Sequence, residues 1–287
     1  MKKILLSLFV CFIFSDAYAQ NYKELFDKAT HCESIDSLTQ AEKYYREALK
    51  VEPANPHNCM IFANLGRLQY RMQRYQDALQ SYDFSLNLAP LSIPVLFDRA
   101  SLNFEMGNTD KAYLDCCSIL DVDTKNTKAL FLRAYLQANK HQYNEALNDY
   151  KRLLELEPQS ISGRLGLAIL YQQIQKYRES VDLLNKLIAE APDDSELYLI
   201  RAGVEKETSQ FELALLDLDK AISLSPKSVN AYLLRGEILL SQKKKTMFQK
   251  KGWNLHFSLY NFIYISITYR VVQIVSFGRF TEIKLQF

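Results

Sequence analysis

The side chains that could do chemistry are scattered singly along this chain of 287 residues. Histidine serves as a general base or a metal ligand, but His31, His57, His141 and His256 never share the short spacings that bring two ligands to one ion. The sequence also has no Gly-rich phosphate loop, His-Glu-x-x-His helix or Gly-x-Ser-x-Gly nucleophile motif. We therefore predict a non-enzymatic protein with no catalytic residue, no metal site and no cofactor.

One charged pairing does recur with fixed spacing. Three arginines are each followed sixteen residues later by an aspartate: Arg99 by Asp115, Arg133 by Asp149, and Arg201 by Asp217. A guanidinium and a carboxylate form strong paired hydrogen bonds. We interpret each pair as a structural tie between two helices, worth about 1 kcal/mol when partly buried, and not as a catalytic dyad.

An internal repeat sets this spacing. Pro158, Pro192 and Pro226 lie 34 residues apart, and a small residue recurs with one interval of 37 and four of 34. The small residues are Ala41, Ala78, Ala112, Ala146, Ser180 and Ala214. Within each period, apolar residues twice follow the i, i+3, i+4, i+7 pattern, which predicts two helices, and proline then ends the unit. Such thin helix pairs bury their apolar faces only by stacking on one another.

This pattern resembles the tetratricopeptide repeat family. The second unit carries its motif at Phe62, Leu65-Gly66, Ala78, Tyr82 and Pro90. The resemblance implies an all-α fold, a right-handed solenoid of antiparallel helix pairs with about six full repeats and a partial seventh. The expected units are 22–55, 59–92, 93–126, 127–160, 161–194, 195–228 and a partial 229–242.

The resemblance also implies a binding surface, because the first helices of such repeats line a concave face that takes peptides or partner helices. Aromatic and arginine side chains are favoured anchors for partners. On the family's groove-facing positions, the expected partner-binding residues are Arg67, Tyr70, Arg71, Phe97, Phe104, Phe131 and Tyr135. The competing interpretation is that several of these rings only pack between neighbouring first helices.

The N-terminus has the layout of a secretory signal peptide. Lys2 and Lys3 precede an apolar run from Ile4 to Phe14, and Ala17-Tyr18-Ala19 forms a small-x-small cleavage site. We expect cleavage after Ala19, because the apolar run is too short for a spanning helix. The mature protein is then periplasmic or secreted, and this export layout suggests a Gram-negative bacterium.

The last 45 residues differ from the repeats. Residues 20–242 carry 25 Lys+Arg against 31 Asp+Glu, whereas residues 243–287 carry 8 against 1. The alternation from Ile263 to Val271 favours a strand. Three interpretations stay open for this atypical tail: a genuine strand-like or disordered segment, a membrane-associating segment, or an out-of-frame end after the codons for Lys243–Lys245. Polar interruptions in the tail argue against a stable membrane span.

Four cysteines follow the signal peptide: Cys32, Cys59, Cys116 and Cys117. An exported chain can form disulfides, but we interpret these residues as small apolar side chains. The acidic repeats lack a basic stripe, which argues against nucleic acid as a partner.

We therefore expect an exported scaffold or adaptor for a protein or peptide partner. Two alternatives remain at this stage. The first is a surface protein that handles glycans, because aromatic side chains also stack on sugars. The second is an N-terminal sensor module of a longer protein.

Overall fold

The computed structural model describes the backbone of residues 20–251 and the side chains of residues 20–242. All regular secondary structure in this part of the chain is α-helix, and the predicted all-α fold of paired helices is confirmed. The predicted signal peptide (1–19) and the predicted strand (263–271) lie outside the described residues. The helices are α1 (20–34), α2 (Leu38–Val51), α3 (Asn58–Arg71), α4 (Tyr75–Leu88), α5 (Ile93–Glu105), α6 (Thr109–Val122), α7 (Thr127–Asn139), α8 (Tyr143–Leu156), α9 (Ile161–Gln173), α10 (Tyr177–Glu190), α11 (Ser195–Glu207), α12 (Phe211–Leu224) and α13 (Val229–Lys251).

The chain forms two compact units that divide after Leu136. In the first unit, the small residue of the second helix, Ala41, is buried beside Tyr45, Ile61 and Leu68. In the second unit, the same repeat position is Ala214, and it packs with Leu218 and Ala202. The recurring small residues therefore let the helices of each unit approach closely, as the repeat pattern predicts.

The turns between the first and second helices all contain one residue with a positive φ. After α3, Gln73 adopts a left-handed φ of 60°, and the Arg74 N–H donates to the Gln69 carbonyl at 2.8 Å. After α5, the turn residue is Gly107 with φ 78°. Such a residue reverses the chain and satisfies carbonyls at the end of the helix, so that the second helix folds back on the first.

Gly66 is a position where a side chain would not fit. A Cβ built there would lie 2.4 Å from the ring of Tyr82, a closeness that side chains do not tolerate. Because Gly66 has no side chain, the ring of Tyr82 from α4 packs directly on α3, where it is only 2% exposed.

The predicted arginine–aspartate ties are confirmed for two of the three pairs. Arg99 donates from Nε and Nη2 to Asp115 at 3.0 and 2.6 Å, and Arg201 donates to Asp217 at 2.7 Å from the same two nitrogens. Burial alone would lower the pKa of Arg99, but the hydrogen bonds and charge of Asp115 outweigh burial and raise it. The third pair has one member in each compact unit and stays a prediction.

The arginine of each tie also donates to a second acceptor, which the sequence pattern did not reveal. The Nη1 of Arg99 donates to Asp83 at 2.6 Å, and the Nη1 of Arg201 donates to Asn185 at 2.6 Å. Both acceptors lie sixteen residues before the arginine, on the second helix of the preceding repeat. Each arginine therefore joins three helices, within a repeat and between repeats.

α13 differs from the expected end of the repeats. The partial seventh repeat was predicted to end near Gln242, whereas the helix continues to Lys251. Lys243 stands at the repeat position of Ser209, the turn residue of the preceding repeat, and consecutive lysines are good helix formers.

Candidate partner-binding surface

The predicted partner-binding residues of the first unit lie on three first helices, α3, α5 and α7. We call them the first-helix surface, which comprises Arg67, Tyr70, Arg71, Phe97, Phe131 and Tyr135. Arg71 is exposed, and the other five are half-buried.

The polar groups of α3 are held by carboxylates. The Nε of Arg67 donates to Asp98 of α5 at 2.7 Å, and the Tyr70 hydroxyl lies 2.9 and 3.0 Å from the two oxygens of Glu105. Arg71 pairs with Asp36 in the preceding turn. The two arginines of this surface are thus neutralised and fixed in place, which reduces the side-chain entropy that a partner would otherwise have to remove.

The aromatic part of the surface lies on α5 and α7. The Lys128 ammonium sits 5.8 Å from the centre of the Phe97 ring, a cation–π distance. Phe131 occupies the same position of the next repeat, 34 residues later, and is also half-buried. Two phenylalanine rings at one repeat position offer apolar contact area at the spacing of the repeats.

Phe104 differs from the other predicted binding residues. Its side chain is 3% exposed and meets Tyr135 edge-on, with ring centres 5.4 Å apart and planes at 89°. For Phe104, the competing packing interpretation applies, because the ring fills the contact between α5 and α7. Phe104 packs against Tyr135, and almost none of its side chain is accessible to a partner.

The sequence did not reveal the acidic partners of this surface. Asp36, Asp98 and Glu105 lie 35, 31 and 35 residues from the side chains that they bind. A search for opposite charges about one repeat apart would have found them, because equivalent positions of adjacent first helices are neighbours in a stack of repeats.

Other kinds of site are not formed by the residues that the structure describes. No three His, Cys, Asp or Glu side chains among them are grouped to hold a metal ion. The described helices include none with the length and apolar character needed to cross a membrane. All four described cysteines are free thiols, and Cys116 is fully buried at the position that Tyr82 occupies in the second repeat.

Comparison with known proteins gives the family. A solved tetratricopeptide repeat protein from Parabacteroides merdae is 34% identical to this chain, with a TM-score of 0.71. The alignment covers 82% of this chain and 94% of that one. This chain belongs to the tetratricopeptide repeat family. A family model described as tetratricopeptide repeat also matches residues 136–203.

A more distant solved structure shares the fold, and a curated human protein matches part of the sequence. The structure titled "YrrB: a TPR protein with an unusual peptide-binding site" is 16% identical, with a TM-score of 0.55, and the match covers 67% of this chain and 97% of that one. The human DnaJ homolog subfamily C member 7 is 24% identical over 129 residues. That match covers 40% of this chain and only 26% of the human protein.

Proposed function

We propose that this tetratricopeptide repeat protein is an exported, non-catalytic scaffold that holds a protein partner on the first-helix surface of its first unit. The observation that carries the proposal is the row of half-buried rings and fixed arginines on α3, α5 and α7. Aromatic and arginine side chains bury a large area at low entropic cost, which makes them effective anchors.

The chemistry of the surface defines the kind of partner. Phe97, Phe131 and Tyr135 suit aliphatic or aromatic side chains at intervals along a peptide or helix. Arg71 of α3, paired with Asp36, and Glu105 of α5, paired with Tyr70, add one charge of each sign that can bind polar groups of a partner. We infer a partner segment that is mostly apolar, with a few polar groups.

The relatives support a polypeptide as the ligand. YrrB, whose likeness to this chain concerns the fold alone, is a tetratricopeptide repeat protein with an unusual peptide-binding site. The layout of residues 1–19 supports export, and we place the mature protein in the periplasm or outside the cell.

The test is a crosslinking pull-down of the full chain from its native host. Phe97→Ala combined with Phe131→Ala removes the two repeated rings, and Arg71→Glu reverses the exposed charge. We expect each variant to reduce the amount of captured partner by about tenfold or more, because central anchors carry most of the binding energy.

Matched controls are available on second helices. Phe84→Ala removes a ring that is 54% exposed on α4, and Arg178→Glu reverses an exposed charge on α10. Both controls should retain the partner. Equal capture by all variants would contradict the proposal, and so would binding to a glycan array without binding to a peptide array.

A further inference from the structure

α13 resembles the first helix of a repeat whose second helix is missing from the described residues. One of its faces packs against α11 and α12 through Ala231, Leu234 and Ile238, of which Ala231 and Ile238 are fully buried. In the other repeats, a short turn follows and the second helix folds back over the first. α13 instead remains one helix to Lys251.

The opposite face of α13 is apolar and exposed. Val229, Tyr232, Leu233 and Leu240 are 67%, 48%, 49% and 55% exposed. At 3.6 residues per turn, these four side chains form one stripe on the side of the helix away from Ile238. Apolar side chains that cluster on an exposed helix face mark a surface that another element covers.

Gly236 lies within this stripe at the repeat position that Gly66 holds in the second repeat. A Cβ on Gly66 would strike Tyr82 of its own second helix, whereas a Cβ on Gly236 meets none of the described side chains within 4 Å. Among the described residues, none fills the space over α13 that a large side chain of the second helix fills in the second repeat.

Arg235 lacks, among the described residues, a carboxylate of its own second helix like the one that binds Arg201. It holds the repeat position of Arg201, and like Arg201 it reaches the second helix of the preceding repeat, with its Nε 3.3 Å from Asp219. Sixteen residues later, where Asp217 follows Arg201, the sequence places Lys251. The Arg235 side chain is 42% exposed, against 20% for Arg201.

We propose that the exposed face of α13 binds an acidic, amphipathic helix of another protein, which takes the place of the missing second helix. The bound helix sets an Asp or Glu against Arg235 and a large apolar side chain over Gly236. This site is independent of the first-helix surface, since it uses only residues of the second unit.

The charge and composition of the chain favour an acidic helix of another protein over two other occupants, a second copy of α13 and residues 252–287 of the chain itself. Residues 229–251 contain six Lys and Arg and one Glu, so a second copy of α13 would be repelled and an acidic helix attracted. Residues 252–287 of the chain contain no alanine or aspartate and one glutamate. They lack the aspartate of the ties, and the alanine that all but one of the second helices carry at the small position.

A peptide taken from the chain itself provides the probe. Residues 142–157 contain Asp149 followed by Tyr150, the carboxylate and the ring that the site requires, with a net charge of −2 from four Glu and Asp and two Lys and Arg. A helix-stapled, fluorescent version of this peptide is titrated with the full chain, and binding is measured by polarisation. We expect saturable binding that Leu233→Asp or Arg235→Ala weakens about tenfold or more.

A charge exchange makes the test specific. The peptide with Asp149→Lys should bind the unchanged protein about tenfold more weakly, and Arg235→Glu in the protein should restore its binding. Arg178→Ala, which removes an exposed arginine of α10, should change nothing. The proposal is overturned if the peptide does not bind, or if binding is indifferent to Arg235. It is also overturned if sedimentation shows a dimer of the chain that Leu233→Asp abolishes.

Discussion

Two buried glutamates show how the surroundings of a side chain decide its protonation. Glu42 accepts hydrogen bonds from Arg46 and Arg74, both at 2.8 Å, and these outweigh the effect of burial and lower its pKa. Glu205 has only Arg201 at 4.0 Å, and that arginine is already bound to Asp217. Burial, with the charge of Asp217 added, raises the pKa of Glu205 to about 7.

Glu205 therefore makes stability depend on pH. Its pKa in the unfolded chain is the ordinary 4.5, so between pH 4.5 and 7 the folded protein keeps a proton that the unfolded chain loses. Stability falls as pH rises through this window, and the loss is complete above pH 7. We expect Glu205→Gln to stabilise the protein by about 2 kcal/mol at pH 8 and by almost nothing below pH 4.5.

The physical basis of this expectation is visible in the second repeat. Gln69 holds the repeat position of Glu205, and with its amide nitrogen turned inward it donates at 2.6 Å to the hydroxyl of Ser81, at the repeat position of Asp217. An amide at residue 205 can donate to Asp217 in the same way. Urea unfolding at a series of pH values measures the effect, with the exposed Glu207→Gln as control. An unchanged pH slope in Glu205→Gln would refute the assignment.

At the scale of the element, the turns that join helix pairs carry a conformational cost. Asp36, Gln73, His141, Gln175 and Ser209 have φ of 60–61°, in the left-handed region that disfavours L residues with a side chain. Gly107 is the one glycine among these turn residues of the described chain. The geometry is therefore imposed by helix packing, and the local sequence does not favour it.

Substitution at these turns should act in opposite directions. Gly107→Ala should destabilise the protein by about 1 kcal/mol, through its positive φ alone, because a Cβ there meets nothing within 4 Å. Gln175→Gly should stabilise it by about 0.5 kcal/mol. Chemical denaturation measures both changes.

Gly236→Ala separates this effect from a general preference for alanine. Gly236 lies inside α13 with equally open space around it, so alanine should stabilise the helix there. If Gly107→Ala also proved stabilising, a strained turn could not be the explanation.

The helices were predictable from sequence because their period and their small residues repeat. The Arg99–Asp115 and Arg201–Asp217 ties followed from the same register. The bridge from Arg99 to Asp83 was missed because it crosses from one repeat to the preceding one, where the repeat pattern alone does not specify side-chain partners.

The binding surface was less predictable than the helices. Helical spacing places Phe97 and Phe104 on similar faces of α5, yet Phe97 is half-buried and Phe104 almost fully buried. What separates them is the residue across from each on α7, and Tyr135 covers Phe104. The sequence pattern does not contain this contact.

At the scale of the whole molecule, neighbouring repeats pack on one another within each compact unit, so stability is distributed over the helix pairs of that unit. The first unit carries rings and arginines on its first helices, and the second unit carries the exposed apolar face of α13. We propose that both surfaces are presented to other polypeptides.

The most direct test of the central claim is photocrosslinking of the full chain in cells of its native host. A benzophenone amino acid at residue 131 places the reactive group on the first-helix surface, and the same group at residue 84 places it on the exposed side of α4. We predict a discrete crosslinked polypeptide from residue 131 and none from residue 84. Crosslinking from residue 84 alone, or the same products from both positions, would contradict a partner held on the first helices.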